Sequence, residues 1–332
     1  MLKAGLIGFG GIAQAHRKAY EHLAEQGKIE LVCAYDIRQE AFEEKVEINL
    51  ETESSDDRNI RFYTDLEEML KNEELDLVDI AVPSYLHRDY AIDMLKRGYN
   101  VMSEKPMALN FADCQKMLEA ADGAKGHFMI GQCLRFYPQY VFLKDCIDSG
   151  KYGKVLSATF HRISSPPVWG WENWFMDYEK SGGCITDLHI HDVDMVRYLF
   201  GEPKAVSCYA TSTLTKYDSC QTTFKFDDIS VLAIGDWTIK DYRFSSGYRV
   251  NFEKSTIAFE DKKVTIYPCD GEPIDVELPK YNGIEGELSY YTDVINGKIE
   301  NTKNHPTSAA NTIKLIEKMK QSADLGGDLI KI

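Results

Sequence analysis

Residues 2–13 read Leu2-Lys3-Ala4-Gly5-Leu6-Ile7-Gly8-Phe9-Gly10-Gly11-Ile12-Ala13, a short apolar run that breaks on glycine and resumes at helical spacing through Ala15, Ala19 and Leu23 as far as Gly27. This is the pattern of a strand, a glycine turn and a helix. In a GxGxxA turn each small residue has a task in dinucleotide binding. Gly8 makes the tight turn, Gly10 lets the backbone approach a pyrophosphate, and Ala13 lets the helix pack closely on the strand. The amino end of the helix, with Phe9, Gly11 and Ile12 around it, offers unpaired N–H donors to phosphate. A glycine pattern alone is a weak signal, but here Ile29 to Tyr35 forms a second strand ending at Asp36. A carboxylate there binds ribose hydroxyls and repels a 2′-phosphate, which favours NAD. Arg38, two residues on, softens that preference and leaves NADP possible.

Outward from this unit the alternation continues. Strand-like Ile60–Tyr63 precedes a helix opened by Thr64, Leu75–Val82 a helix near Asp89–Lys96, and Tyr99–Ser103 a helix near Ala112–Ala121. His127–Gly131 closes the series. Residues Gln39 to Asn59 are polar and acidic, as in an exposed helix and loop. The alternation predicts a parallel sheet wound by helices, with ligands at the carboxyl ends of the strands. Those ends carry Pro83-Ser84 with His87, then Glu104-Lys105-Pro106, then Gln132 to Arg135. Lys105 stands out, because a lysine in a cofactor crevice can stabilise a hydroxyl as it becomes an alkoxide. The same lysine would also suit a surface turn, and His87 would also suit packing or capping.

Beyond Gly131 the strand-like runs lengthen: Val155–Arg162, Ala205–Leu214, Gln221–Phe226, Ser230–Thr238, Gly247–Asn251, Ser255–Glu260 and Lys263–Tyr267. They read as hairpins of one large sheet, followed by helices near Glu285–Ile295 and Ser308–Ser322. The expected fold is therefore α/β plus α+β. An NAD(P)-binding Rossmann domain spans 1–124, and a domain on a large, mainly antiparallel, open-faced sheet spans 125–332. An open sheet face needs covering, so a homodimer or homotetramer is expected.

Laid against that sheet, Ser181 to Phe200 reads as one amphipathic helix with Ile185, Leu188, Val193, Val196 and Leu199 on its apolar side. Asp187, His191 and Asp194 stack on the other face, an acid beside an imidazole, which suits acid–base work. The same spacing also fits a solvated face with a weak ion pair. His189 and His191, two apart, point to opposite sides of a helix and do not chelate one metal. Pro166-Pro167 opens a loop with Trp169, Trp171 and Trp174, rings that either stack on a sugar or serve packing.

The composition is that of an ordinary soluble chain, 44% hydrophobic and 27% charged over 332 residues, long enough for two cores. A net charge of −15 argues against nucleic acid or an anionic membrane surface as partner. Eight scattered cysteines without a CxxC pair read as reduced thiols. With no signal-like start and no long apolar span, a cytoplasmic location is expected.

With these residues in hand, the chain resembles the Gfo/Idh/MocA family of NAD(P)-dependent sugar and polyol oxidoreductases. The likeness runs from end to end. It rests on GFGGIA at 8–13, Asp36, AVPSYLH at 81–87, EKPMAL at 104–109, SGGCITDLHIHDVD at 181–194, GELSYYTDVING and SAANTIKLIEKM in that order. The resemblance implies that Lys105 anchors and polarises the reacting hydroxyl, that Asp187 and His191 contact substrate, and that His191 is the acid–base. It implies cofactor contacts from the glycine turn, Asp36, Arg38, Pro83, His87, Glu104 and Lys105. Candidate substrate contacts are Arg135, Trp174 and His189, and no metal is expected. Ser181 and His189 stand where the family pattern often has glycine, so the substrate is not copied from a relative. The alternatives are glycoside cleavage or epimerisation with recycled NAD, a non-catalytic sugar sensor, and a metal hydrolase using His189 and His191.

Overall fold

The computed structural model describes residues 1–43 and 60–332; the acidic stretch at 44–59, which includes most of the expected exposed helix and loop, lies outside the described residues. The first layer runs β1 (Leu2–Ile7), α1 (Gly11–Glu25), β2 (Ile29–Tyr35), β3 (Arg61–Tyr63), α2 (Leu66–Asn72), β4 (Leu77–Ile80), α3 (His87–Arg97), β5 (Asn100–Glu104), α4 (Phe111–Asp122) and β6 (Phe128–Gly131). All six strands are parallel, in the order β3-β2-β1-β4-β5-β6. Central β4 is buried along its whole length, as a strand covered on both faces must be. Local chemistry sets the helix ends: the Asn110 side chain accepts the Asp113 N–H to start α4, and Gly98 at φ +90° stops α3. The strand order reverses between β1 and β4, which opens a crevice at their carboxyl ends.

The chain continues with α5 (Pro138–Asp148), β7 (Val155–Ile163), α6 (Tyr178–Ser181), α7 (Cys184–Asp187) and α8 (Ile190–Phe200). It then runs through β8 (Ala205–Thr211), β9 (Ser219–Lys225), β10 (Ser230–Asp236), β11 (Ser245–Phe252), β12 (Ser255–Glu260), β13 (Lys263–Pro268), β14 (Ile274–Asp275), α9 (Gly283–Ile295), α10 (Pro306–Asp324) and β15 (Ile330–Lys331). The strands β7–β15 form a nine-stranded sheet in which only β7 and β10 pair in parallel. Alternation fixes its faces: β9 buries Cys220, Thr222 and Phe224 and exposes Gln221, Thr223 and Lys225. Helices α8 and α10 cover the apolar face, while Tyr209 on the other face is 66% exposed.

Two features depart from the sequence reading. The boundary expected at 124/125 falls between α4 and β6 of a single sheet, and α9 returns to that sheet. Ile284, Leu288 and Tyr291 pack with Leu6 and Leu23, and the Tyr291 hydroxyl donates to Val101 O at 2.9 Å. The expected single helix over 181–200 is also broken. The His189 N–H reaches back five residues to Cys184 O at 2.9 Å, which widens the turn by one residue. Asp187 and His191 therefore lose their stacking, and no hydrogen bond joins them.

Asp194 is not on a solvated face either, because α8 lies between the large sheet and α10. It takes Arg135 in two bonds of 2.8 and 2.6 Å, and the Thr312 hydroxyl at 2.9 Å. Arg135 also donates to Lys303 O and to the Ser308 hydroxyl. Arg135 and Asp194 are 2% and 1% exposed, and Arg135 does not line the cavity described below. The expected substrate contact is thus a buried clamp between the end of β6, α8 and α10. Truncation to Arg135→Ala strands a buried carboxylate and is expected to cost about 3–5 kcal/mol in denaturant unfolding. A loss below about 1 kcal/mol, the range of exposed pairs, would remove the clamp role.

Candidate active site

A cavity of about 960 Å³ runs from the glycine turn of the first layer to the face of α8. At its cofactor end Gly8 has φ +94°, and a Cβ there would lie 2.7 Å from the Ala81 carbonyl oxygen, so only glycine lets β1 pass this close to β4. Gly10 faces open space, with no atom within 4 Å of a Cβ built on it. Helix α1 has no side-chain cap and no acid in its first turn, leaving its N–H groups for an anion. Asp36 accepts the Phe9 N–H on Oδ2 and the Arg38 N–H on Oδ1, both at 2.9 Å. The Arg38 guanidinium lies 3.5 Å from the same carboxylate and 5.5 Å over the Trp171 ring. An open backbone, free helix N–H groups and a fixed carboxylate fit a dinucleotide. Gly11, Ile12 and Pro83 complete this wall.

Two expected cofactor contacts are used differently. The Phe9 N–H is taken by Asp36, and its ring turns inward against Phe42 and Phe62 at 5.3 and 5.2 Å. His87 borders the cavity, but its two ring nitrogens meet Pro106 O at 2.7 Å and Val82 O at 2.8 Å. It ties two strand ends together and has no nitrogen left for a ligand.

At the other end Lys105 Nζ donates to Asp187 Oδ1 at 3.0 Å and to Asp187 O at 2.9 Å. His191 lines the same space with its Nδ1 buried and unpartnered. Burial, helped by the charges of Lys105 and Arg162, holds its pKa well below the ordinary histidine value, so the ring is neutral. Trp174 lines the wall and stacks on Phe175 at 3.8 Å, and Trp169 meets the same Phe175 ring edge-on at 4.7 Å. His189 is elsewhere. It is fully buried, bonds Thr222 Oγ1 at 3.0 Å and packs against Gly235, away from the cavity. Among the described residues, no group of three or more His, Cys, Asp or Glu is placed to hold a metal.

Beneath Lys105 lies a buried charge network. His16 sits between Asp79 at 2.7 Å and Glu104 at 2.9 Å, and Tyr20 donates to Asp79 at 2.9 Å. Glu104 Oε2 accepts the Lys105 N–H at 3.0 Å, which joins the network to Lys105. Burial alone would lower His16, but its two carboxylates win and hold it well above the ordinary value. Glu287, buried with both oxygens unpartnered, is pushed well up by burial and then by the Glu104 charge, so it stays protonated. Sequence reading missed His16, Tyr20, Asp79 and Glu287, and expected Glu104 as a cofactor contact, whereas its two oxygens meet His16 and the Lys105 N–H. The available signals were a histidine inside the apolar stripe of α1 and an aspartate in the middle of an apolar strand.

The topological-switch crevice takes a dinucleotide, and an ammonium with a neutral imidazole at its far end suits charge and proton handling at a hydroxyl. The class is that of the dinucleotide-dependent oxidoreductases. Residues 2–132 match the oxidoreductase family with an NAD-binding Rossmann fold, and 140–267 match the GFO/IDH/MocA C-terminal domain; the chain belongs to the Gfo/Idh/MocA family. It is 25% identical to inositol 2-dehydrogenase of Rhizobium meliloti (strain 1021), covering 98% of this chain and 92% of that protein. It is 35% identical to 2,7-anhydro-N-acetylneuraminate hydratase of Mediterraneibacter gnavus over 42% of this chain, but the match spans only 37% of the hydratase. The crystal structure of aldose-aldose oxidoreductase from Caulobacter crescentus complexed with glycerol shares the fold. Its TM-score is 0.83 at 20% identity, covering 100% of this chain and 99% of that one.

Gly10→Val fits the open space without the cofactor. It should change stability by no more than about 1 kcal/mol yet weaken NAD binding at least about tenfold, read by tryptophan quenching. Unchanged NAD affinity would place the pyrophosphate elsewhere. For His16, a raised folded pKa means stabilisation that is full below about pH 6.5 and lost as pH rises through the folded value. The melting-temperature gap between the native chain and His16→Gln should therefore be widest near about pH 6 and narrow as pH rises. A gap that widens toward alkaline pH contradicts a buried imidazolium.

Proposed function

We propose that this chain transfers hydride between a hydroxyl of a sugar, polyol or sugar derivative and a nicotinamide, with NAD preferred. The observation that carries the reading is the Lys105 ammonium seated 3.0 Å from Asp187, in one cavity with neutral His191 and the glycine turn. The cofactor, when bound, supplies the hydride acceptor. Binding, orientation and proton handling fall to the chain.

Of the three N–H donors of Lys105, two are used on Asp187, which leaves one for the substrate oxygen. In the oxidative direction that ammonium stabilises the oxygen as it gains negative charge. His191, kept neutral by burial, takes the hydroxyl proton. Asp187 holds Lys105 in place and keeps one carboxylate oxygen for an adjacent hydroxyl. Trp169 and Trp174 back an apolar sugar face and exclude water, while Trp171 lies against Arg38 at the cofactor end. Asp36, fixed by two backbone N–H groups, favours the unphosphorylated ribose, with Arg38 beside it to admit NADP. The open face of the large sheet supports a homodimer or homotetramer. The eight free thiols suit a reducing compartment such as the cytoplasm.

A panel of inositols, aldoses and sugar derivatives should yield NADH by absorbance with one substrate class. Lys105→Ala and His191→Ala should each lose about 10²–10⁴ in kcat/KM while NAD still binds. Activity retained in both variants removes their assigned roles. A base must be unprotonated, and His191 is shifted downward, so the acidic limb of kcat/KM is expected below about pH 6.5. A limb at or above that value assigns the proton to another group.

A further inference from the structure

The catalytic end of the cavity holds a second cation for which hydride transfer has no use. Arg162, near the end of β7, is 5% exposed and lines the cavity. Its Nε donates to Asp192 Oδ2 at 3.2 Å, and its Nη2 donates to Asp192 Oδ1 and to the Tyr140 hydroxyl, both at 3.2 Å. Nη1 has no acceptor among the described residues. A guanidinium carries five N–H groups, and a buried one needs acceptors for all of them. The two on Nη1 have only the cavity to turn to.

The surroundings sharpen the demand. Tyr137, Tyr140, Trp237 and Phe244 line this end, and the Phe244 ring lies 5.8 Å from the guanidinium carbon. Fold stability gives no reason to keep a buried Arg162–Asp192 pair here, since apolar residues of similar volume commonly serve as well. Arg162 and Lys105 flank His191 as two cations, each with one carboxylate partner. A single outward nitrogen with two donors matches one carboxylate group in a charge-assisted bond. A phosphate, with three acceptor oxygens, asks for more donors than Nη1 offers.

Resting on the dehydrogenase reading above, the geometry points to Arg162 as a specificity-determining residue that receives a carboxylate of the substrate, which makes the substrate class the sugar acids. A hexuronate, or a polyol acid of similar size, places its carboxylate on Nη1 and a hydroxyl between Lys105 and His191. Asp192 and Tyr140 hold the guanidinium flat for this contact.

The test compares D-glucuronate and D-galacturonate with D-glucose, D-galactose, their 6-phosphates and myo-inositol, using the NAD-loaded full chain. Two readouts are taken: NADH formation, and quenching of tryptophan fluorescence on sugar binding. A hexuronate is expected to exceed its neutral aldose by about ten- to a hundredfold in kcat/KM, the range of a hydrogen bond to a charged group. Arg162→Met should erase that preference. Arg162→Lys, which keeps the charge for Asp192 and guards against a folding defect, should retain part of it. Equal or better use of the aldose, the cyclitol or the 6-phosphate by the native chain overturns the assignment of Arg162 and leaves the dehydrogenase reading standing. Hexuronate binding by quenching, without NADH from any compound, supports the carboxylate site and overturns the dehydrogenase reading instead. Failure of every sugar acid to bind or react overturns the inference directly.

Discussion

The contact on which the site depends is the bridge from Lys105 to Asp187, residues 82 positions apart that meet at 3.0 Å. Lys105 leaves the end of β5 in the parallel layer, and Asp187 closes α7 against the large sheet. One ammonium thus pins the two layers inside the cavity that runs from the glycine turn to α8. The pair is only partly exposed, 16% and 12% at the side chains, so its attraction is less screened than on an open surface. It still leaves one lysine donor and one carboxylate oxygen available.

Below that bridge the charges are arranged in buried pairs. His16 is held between Asp79 and Glu104, and Glu104 in turn receives the backbone N–H of Lys105. Arg135 is locked on Asp194 and Arg162 on Asp192. The two aspartates are two residues apart on α8 and serve opposite purposes. Asp194 turns toward α10 and closes a clamp in which every Asp194–Arg135 contact is internal. Asp192 turns toward β7 and holds Arg162, which lines the cavity. Deletion of one partner in either pair leaves a buried charge, which is why such pairs are sensitive to substitution even where they add little net stability.

Much of the first layer was legible because its signals are local. The glycine turn at 8–13, the period-two and period-3.6 stretches and the ends at Asn110 and Gly98 depend on near neighbours. They predicted the strand and helix order and the crevice beside Asp36. The α8 region was less legible, and for a definite reason. Stacking of Asp187, His191 and Asp194 at spacings of four and three assumes an unbroken helix, and the extra residue in the turn at His189 shifts their phase. Polar type also misled: Arg135 and His189 look like ligand-binding residues, yet one is a clamp and the other is packed on Thr222. Neither destination is encoded within a few positions along the chain.

The sequence by itself determined the two-sheet architecture, the dinucleotide crevice and the nomination of Lys105, Asp187 and His191 as site residues, because spacing and turn chemistry act over short range. Only the tertiary structure decided which polar groups share a space. It turned Lys105 rather than His191 toward Asp187, sent Arg135 and His189 into the core, and brought Arg162 and the tryptophan loop to the cavity. It also gathered His16, Asp79, Glu104 and Glu287 into one buried cluster. Burial and the charge of a distant residue fix whether such a group is ionised, and both are properties of the packed chain.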